Sequence, residues 1–387
     1  GCTEQAAGQG RLSQVICTPL IEALGCRVPV IQTAMGWVAT PELVAASSNA
    51  GAFGFLACAV MTPAEAREEV ARLRDLTPHN FGINFHSFQP GAAEIVEVIL
   101  ANRDRVRAVS FGRGPDAKMI ARFKDAGILC IPTVGAVKHA EKMVQLGCDM
   151  VVVQGGEGGG HTGSVSSIVL LLQVVDAVNV PVVAAGGFGD GRGLAAALAY
   201  GACGIAMGTR FLMTAESPVP ASTKGRYVKA GTKDSVVTTK VDGIPQRMIL
   251  NPALARIEQS GRIGMWLRAV EAGLAMKRQT GASFIDLYHA AKGMTSHGGL
   301  SLMQAMMAAA APMMIQRAVV DGADADGLMA TGVVGGRLAD LPTCAGLVAQ
   351  APATFDVILT NPPFGGEERA STRGRDGYRS TGSRGLM

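Results

Sequence analysis

Several things are scarce in this chain, and each scarcity removes a class of function. Charged residues make up 17 % of its 387 residues and aromatics 5 %, while hydrophobic residues reach 48 %. A chain with that balance fills a sizeable core, which excludes global disorder. The formal net charge is only +4, too small to imply a general attraction to nucleic acid. Eight cysteines occur (Cys2, Cys17, Cys26, Cys58, Cys130, Cys148, Cys203 and Cys344), but none forms a C-x-x-C pair. The six histidines are scattered, with neither zinc-finger nor H-x-x-x-H spacing, so no metal site is expected. Cys130 in Leu-Cys-Ile and Cys203 in Ala-Cys-Gly lie in apolar surroundings, which reads as small buried thiols in a reducing cytoplasm. No G-x-S-x-G elbow is present to activate a serine. No signal peptide is visible. The longest apolar stretch, Val165 to Ala185, is interrupted by Gln173, Asp176, Asn179 and Pro181, which is too broken for a membrane span.

What the chain has in excess is glycine, 50 residues of it, concentrated in loops that follow apolar runs. Those runs are short, continuously apolar and rich in Val, Ile and Ala: Val28–Gln32, Ala52–Leu56, Phe81–Phe85, Ala108–Phe111, Leu129–Thr133, Met150–Gln154, Pro181–Ala185 and Gly204–Met207. Continuous rather than alternating hydrophobicity marks parallel strands covered on both faces. Helix signals lie between them. Thr40-Pro41-Glu42 places a cap before a proline at the first helical position. Thr62-Pro63-Ala64-Glu65 is a capping box. Asp116 is placed to cap a helix through Lys124 that Ala126-Gly127 ends. Eight strand–helix units read as an α/β fold, a (β/α)₈ TIM barrel. A doubly wound open sheet competes with it, but the dinucleotide fingerprint it calls for after the first strand is replaced by Ala34-Met35-Gly36-Trp37.

The rhythm changes after the eighth strand. The expected organisation is an N-terminal extension (1–17), the barrel (18–216 with 302–350), an added helical region (217–301) covering the barrel mouth, and a tail (351–387). Pro252–Gln259 and Met265–Ala275 are helix-like pieces of the added region, and Leu302–Val320 is an apolar helix expected to pack back on the barrel. The tail carries Asn361-Pro362-Pro363-Phe364, similar to the signature of DNA adenine methyltransferases, followed by a Gly/Ser/Arg-rich run. No methyltransferase sheet precedes it, so a disordered or foreign tail is the expectation.

Two loops and a short turn carry the chemistry. Gln154-Gly155-Gly156-Glu157-Gly158-Gly159-Gly160-His161-Thr162-Gly163 follows strand six and holds six glycines in ten residues. Such a loop is costly in chain entropy, and glycine lets backbone come close to a flat ring or a phosphate. His161 at its end sits on a loop at the carboxyl end of the barrel, where an imidazole takes a proton near neutral pH. A structural surface histidine is the competing reading. Ala185-Gly186-Gly187-Phe188-Gly189-Asp190-Gly191-Arg192 opens a helix after strand seven, and Met207-Gly208-Thr209-Arg210 follows strand eight. In a barrel these adjacent loops form a phosphate cradle.

These strings resemble the nitronate monooxygenases, formerly 2-nitropropane dioxygenases. The likeness rests on Gln154–Gly163, on Ala185-Gly186-Gly187 with Asp190-Gly191-Arg192, on Met207-Gly208-Thr209-Arg210-Phe211 and on Gln32-Thr33-Ala34-Met35-Gly36, and it runs from about Thr18 to Val348. Gln154–Val165, Gln32–Ala39 and Val237–Arg247 are more similar to a subgroup that dehydrogenates a bicyclic CoA thioester in steroid catabolism. FMN-dependent enoyl reductases share the motifs. The resemblance implies a flavoprotein with FMN. Gly186, Gly187, Gly208 and Thr209 would hold its phosphate, while Ala34, Met35, Gly36, Asn84, Thr133, Gln154, Gly155 and Gly160 would line the cofactor. His161 would face the substrate as base. Several nitronate-oxidising relatives carry a lysine after strand five where Thr133 stands here. The implied partner is a small-molecule substrate, a nitronate or a CoA thioester, in a cytoplasmic enzyme for which a homodimer is compatible. The alternatives are an NAD(P)H-driven enoyl reductase and a non-catalytic barrel that binds a phosphate-bearing ligand.

Overall fold

The computed structural model describes residues 16–111, 117–261, 264 and 302–353, with the backbone alone described for 302–310 and 351–353. Asp116, Met265–Ala275 and the 354–387 part of the tail lie outside the described residues.

The elements follow one another as α1 (Pro19–Leu24), β1 (Val30–Gln32), α2 (Pro41–Asn49), β2 (Phe53–Ala57), α3 (Pro63–Leu76), β3 (Phe81–Phe85), α4 (Ala92–Ala101), β4 (Val106–Phe111) and α5 (Ala117–Asp125). Next come β5 (Leu129–Cys130), β6 (Thr133–Val134), α6 (Val137–Gln145), β7 (Val151–Gln154), β8 (Gly160–His161), α7 (Ser167–Ala177), β9 (Val182–Ala185), α8 (Gly191–Ala199) and β10 (Gly204–Met207). The chain continues with α9 (Thr209–Leu212), α10 (Ala221–Lys229), β11 (Ser235–Thr238), β12 (Gln246–Ile249), α11 (Pro252–Gln259), α12 (Leu302–Val319) and α13 (Cys344–Ala353).

Nine of these strands form one parallel, curled sheet in the order β5-β4-β3-β2-β1-β10-β9-β7-β6. Its two end strands are separated in sequence by Ile131 and Pro132 alone. The run expected as one strand, Leu129–Thr133, is thus broken at a residue that has no backbone N–H to give a ladder. The other apolar runs form strands within two residues of the expected bounds.

Strand residues alternate between two environments. One face carries Ile31, Phe53, Phe55, Ala108, Ile131, Val152, Val183, Ala185 and Ala206, a single cluster drawn from most of the sheet. Helix α1 contributes Leu20 and Leu24, 0 % and 1 % exposed, to the same cluster. Two glycines exist to permit this packing. A Cβ on Gly82 would lie 2.3 Å from the Phe55 ring, and one on Gly204 would lie 2.5 Å from Leu20 Cδ2. The opposite face, with Val30, Val151, Val153, Val182, Ala184, Ile205 and Met207, packs against the helices, including Leu170, Leu171 and Val174 of α7 and Leu194 and Ala197 of α8. Burial on both faces is why the sequence reads as unbroken apolar runs.

Helix ends follow the sequence with one exception. Thr62 and Glu65 form the capping box on α3, and Gly127 takes φ +75° just after α5. Thr40 stands at the N-cap of α2, but its buried hydroxyl makes no cap bond; Pro41 begins the helix without it. Helix α12 ends within one residue of the expected position, and its Ala318 and Val319 join the main core. The region after β10 holds more than the helices expected of it: β11 and β12 form an antiparallel hairpin that extends to β8. Among the described residues six cysteines are free, five of them buried. Cys17 departs from the expectation of free thiols, being disulfide-bonded. Among the described residues no helix is long and apolar enough to cross a membrane.

Candidate active site

The carboxyl ends of the parallel strands open into one cavity of about 480 Å³. Its wall takes Thr33 to Val38 after β1, Ala57, Ala59 and Val60 at β2, Asn84 of β3, Ser110 of β4, Thr133 of β6, Gln154 of β7, Ala185 to Phe188 after β9 and Gly208–Thr209 after β10. Strand ends are rigid, so a site built on them inherits the sheet's geometry. Every residue expected from sequence to act as base or to hold the cofactor lines this space except Gly155. That residue sits behind the wall. Its N–H donates to Ala185 O at 3.2 Å, and a Cβ on it would lie 2.2 Å from Ser167 Cα. It holds the loop against α7 rather than facing the cavity.

The glycine loop is pinned at several points. Glu157 Oε2 accepts from the Ser167 N–H and Oγ, both at 2.7 Å. Gln154 Nε2 donates to His161 O at 2.7 Å. Gly160 and His161 form β8, which pairs with Arg247 and Gln246 of β12. The Thr162 N–H donates to Pro245 O at 3.0 Å. A loop of low intrinsic order is therefore fixed by contacts from a hairpin some eighty residues downstream.

His161 faces the cavity from β8. Its Nε2 lies 2.6 Å from Asp242 Oδ2, with side-chain exposure of 57 % for His161 and 12 % for Asp242. Asp242 Oδ1 accepts the Ile244 N–H at 3.0 Å. Burial by itself raises the Asp242 carboxyl, but hydrogen bonds from His161, Ile244 and Gln246 outweigh it and hold the group below its usual range. Sequence reasoning missed Asp242. Its one signal was the Val237–Arg247 string, whose residues carried no spatial link to His161.

The far end of the cavity is glycine-built. Gly186 and Gly187 take φ +88° and +89°, a region open to glycine at little cost. A Cβ on Gly186 would lie 3.0 Å from Gly158 N and 2.9 Å from Ser167 Oγ. Gly208 caps α9, whose first N–H groups have no partner within the helix. The Thr209 hydroxyl accepts from Gly332 N at 2.9 Å. Gly332 and Val334, also missed from sequence, complete this wall. Backbone exposed by left-handed glycines beside a helix start, with a hydroxyl at hand, suits a phosphate. Close by, Trp37 is the only non-glycine residue with positive φ (+60°) among the described residues, and it too lines the cavity. A bulky residue held there stores strain of order 1–3 kcal/mol. No group of three or more His, Cys, Asp or Glu side chains that could hold a metal occurs among the described residues.

A model of the nitronate monooxygenase family matches residues 17–99 and 93–352. A relative from Rhodococcus jostii (strain RHA1), named (3aS,4S,5R,7aS)-5-hydroxy-7a-methyl-1-oxo-octahydro-1H-indene-4-carboxyl-CoA dehydrogenase, is 44 % identical over 345 residues, 88 % of this chain and 97 % of the relative. Among solved structures, FabK from Thermotoga maritima superposes with a TM-score of 0.70 at 31 % identity, covering 88 % of this chain and 96 % of its own. A nitroalkane oxidase from Streptomyces ansochromogenes does so with a TM-score of 0.66 at 26 % identity, covering 87 % and 99 %.

Proposed function

Because the chain belongs to the nitronate monooxygenase family, we propose that it is an FMN-dependent oxidoreductase that dehydrogenates a CoA thioester with a bicyclic acyl group. The observation that carries the reading is a cavity that gathers the glycine loops after β9 and β10, the strand ends and His161 with its buried carboxylate. The name of the Rhodococcus jostii relative supports the substrate class.

The fold we infer beneath this activity is a closed (β/α)₈ barrel. Strands β5 and β6 are two halves of one strand, pairing β4 on one side and β7 on the other. Counting them once leaves eight strands and no free edge. The region that follows β10 would then cover the barrel mouth, and among its described residues, 217–261 and 264, the β11–β12 hairpin is the part that pairs with β8.

Gly186, Gly187, Gly208 and Thr209 would hold the FMN phosphate. Ala34, Met35, Gly36, Asn84, Thr133, Gln154 and Gly160 would line its ring, with Gly155 supporting the loop from behind. When bound, FMN supplies the electron acceptor that no side chain provides. The chain's own part is positioning and proton transfer. His161 takes the acidic proton beside the thioester carbonyl, and the walls orient the substrate and displace water.

Nitronate oxidation is the second reading, favoured by the nitroalkane oxidase neighbour. Thr133 counts against it, since a lysine there in several nitronate-oxidising relatives would stabilise an anionic reduced flavin.

The test is the absorbance spectrum of the purified protein, followed anaerobically while NADH, a nitronate and a bicyclic acyl-CoA are each added. Bleaching by the acyl-CoA is the expected result. Bleaching by the nitronate selects the second reading, and by NADH alone an enoyl reductase. A colourless protein that does not take up FMN overturns the proposal and leaves a barrel for another phosphate-bearing ligand.

A further inference from the structure

We propose that Asp242 is the positioning residue for His161, fixing the tautomer in which Nε2 carries the hydrogen and Nδ1 is the atom that accepts the substrate's proton. This deepens the reading of His161 as base and rests on it.

The argument begins with the donor and acceptor inventory. Asp242 Oδ2 lies 2.6 Å from His161 Nε2, and Oδ1 already accepts the Ile244 N–H at 3.0 Å. The groups acting on the carboxyl are the His161 ring, the Ile244 N–H and the Gln246 side chain, and together they keep it ionised. An ionised carboxylate only accepts hydrogen bonds. The short contact therefore requires a hydrogen on Nε2, and a neutral ring then has its lone pair on Nδ1.

The backbone of His161 leaves the ring little else to be held by. Its carbonyl accepts from Gln154 Nε2, and its strand pairs with Gln246. Only the side-chain torsions stay free, and the Asp242 bond sets them. Asp242 is itself fixed, because its side chain is 12 % exposed and the Asp242–Ile244 turn lies inside the hairpin that pairs with β8. The base and its orienting carboxylate thus come from opposite sides of one antiparallel pairing. This is the general logic of an oriented base, in which a carboxylate holds the ring and stabilises the imidazolium without taking the proton itself.

In the step so arranged, the acidic C–H bond of the substrate breaks and an Nδ1–H bond forms. The electron pair stays on the carbon and spreads into the neighbouring electron-withdrawing group. The imidazolium shares its Nε2–H with Asp242.

Selective ¹⁵N-histidine labelling of the FMN-loaded protein tests this, with the His161 signals identified by their loss in His161→Ala. Long-range ¹⁵N–¹H correlation is expected to show Nε2 protonated and Nδ1 bare near neutral pH in the wild type. Asp242→Asn is expected to abolish that single-tautomer pattern. It should also slow anaerobic bleaching by the substrate about 100-fold, with half-saturation changed less than about twofold and with partial rescue in Asp242→Glu. A wild-type ring protonated on Nδ1 overturns the proposal whatever the variants do. So does an unchanged bleaching rate in Asp242→Asn when His161→Ala is slow, which leaves the base reading standing. An unchanged rate in His161→Ala overturns the base reading itself, and with it the catalytic meaning of the pair.

Discussion

Arg247 straddles the carbonyl of Gly156, with Nε 3.2 Å and Nη2 2.9 Å from the same oxygen. Its Nη1 reaches Ser235 Oγ at 3.2 Å. One planar cation thus ties the glycine loop to both strands of the β11–β12 hairpin. Lysine cannot reproduce that fork. Arg247→Met is expected to lower the unfolding free energy by about 2–3 kcal/mol, read from the urea midpoint, and to speed amide exchange in residues 155–163. Arg247→Lys should fall between it and the wild type. An unchanged midpoint in Arg247→Met would mean that the loop is held by its other contacts.

The left-handed glycines separate strain from crowding. A Cβ on Gly160 (φ +66°) would meet nothing within 4 Å, whereas one on Gly186 (φ +88°) would press against Ser167 Oγ and Gly158 N. Gly160→Ala is expected to cost about 1–2 kcal/mol from backbone conformation alone. Gly186→Ala should cost more and should release FMN on dialysis. Thermal unfolding and retained flavin absorbance check the order; equal losses in the two variants would rule out the crowding argument.

Asp190 caps α8 through the Gly193 N–H at 3.2 Å and bonds Arg192 and Arg337. Burial raises its carboxyl, but these partners outweigh burial and hold it below the usual range. A carboxyl depressed in the folded state binds fewer protons there than in the unfolded chain. Its stabilisation is therefore complete above about pH 4, the unfolded value, and is lost as pH falls through the folded value. Asp190→Asn keeps the cap but loses the charge, and is expected to lower stability by about 0.5–1 kcal/mol at pH 7 and to narrow the gap from wild type at pH 3. Urea midpoints at the two pH values measure this, and a gap that stays constant with pH would assign the effect to shape rather than charge.

Thr133 lines the cavity as an exposed residue at the start of β6. Thr133→Lys places a cation beside the proposed ring site, and opposite charges attract more strongly in a partly water-excluded cleft. The expected outcome is a more positive flavin reduction potential and faster bleaching by a nitronate. Spectroelectrochemistry checks the first; a potential that is unchanged or more negative would place Thr133 away from the ring.

Much of the fold is legible in the sequence because its signals are local. Continuous apolar runs such as Val182–Ala185 mark strands covered on both sides, and Thr62 with Glu65 marks a helix start within four residues. His161, Gly186 and Gly208 stand out for the same reason: glycine runs next to strand ends have few structural uses. What stayed hidden involves partners far apart in sequence. Strand β8 is two residues long and has no pattern of its own; it exists because β12 pairs with it. Gly332 and Val334 reach the cavity only because the chain returns after α12.

The sequence by itself determined most of the parallel strands, most of the helix starts and the glycine-rich loops that line the cavity, since backbone propensity and side-chain chemistry are properties of a short stretch. Tertiary structure alone decided that Gly155 backs the cavity wall instead of facing it. It alone decided which carboxylate meets His161 and which arginine holds the glycine loop. Those choices depend on the register of a hairpin against a loop some eighty residues away, and no local pattern encodes a register set by long-range closure.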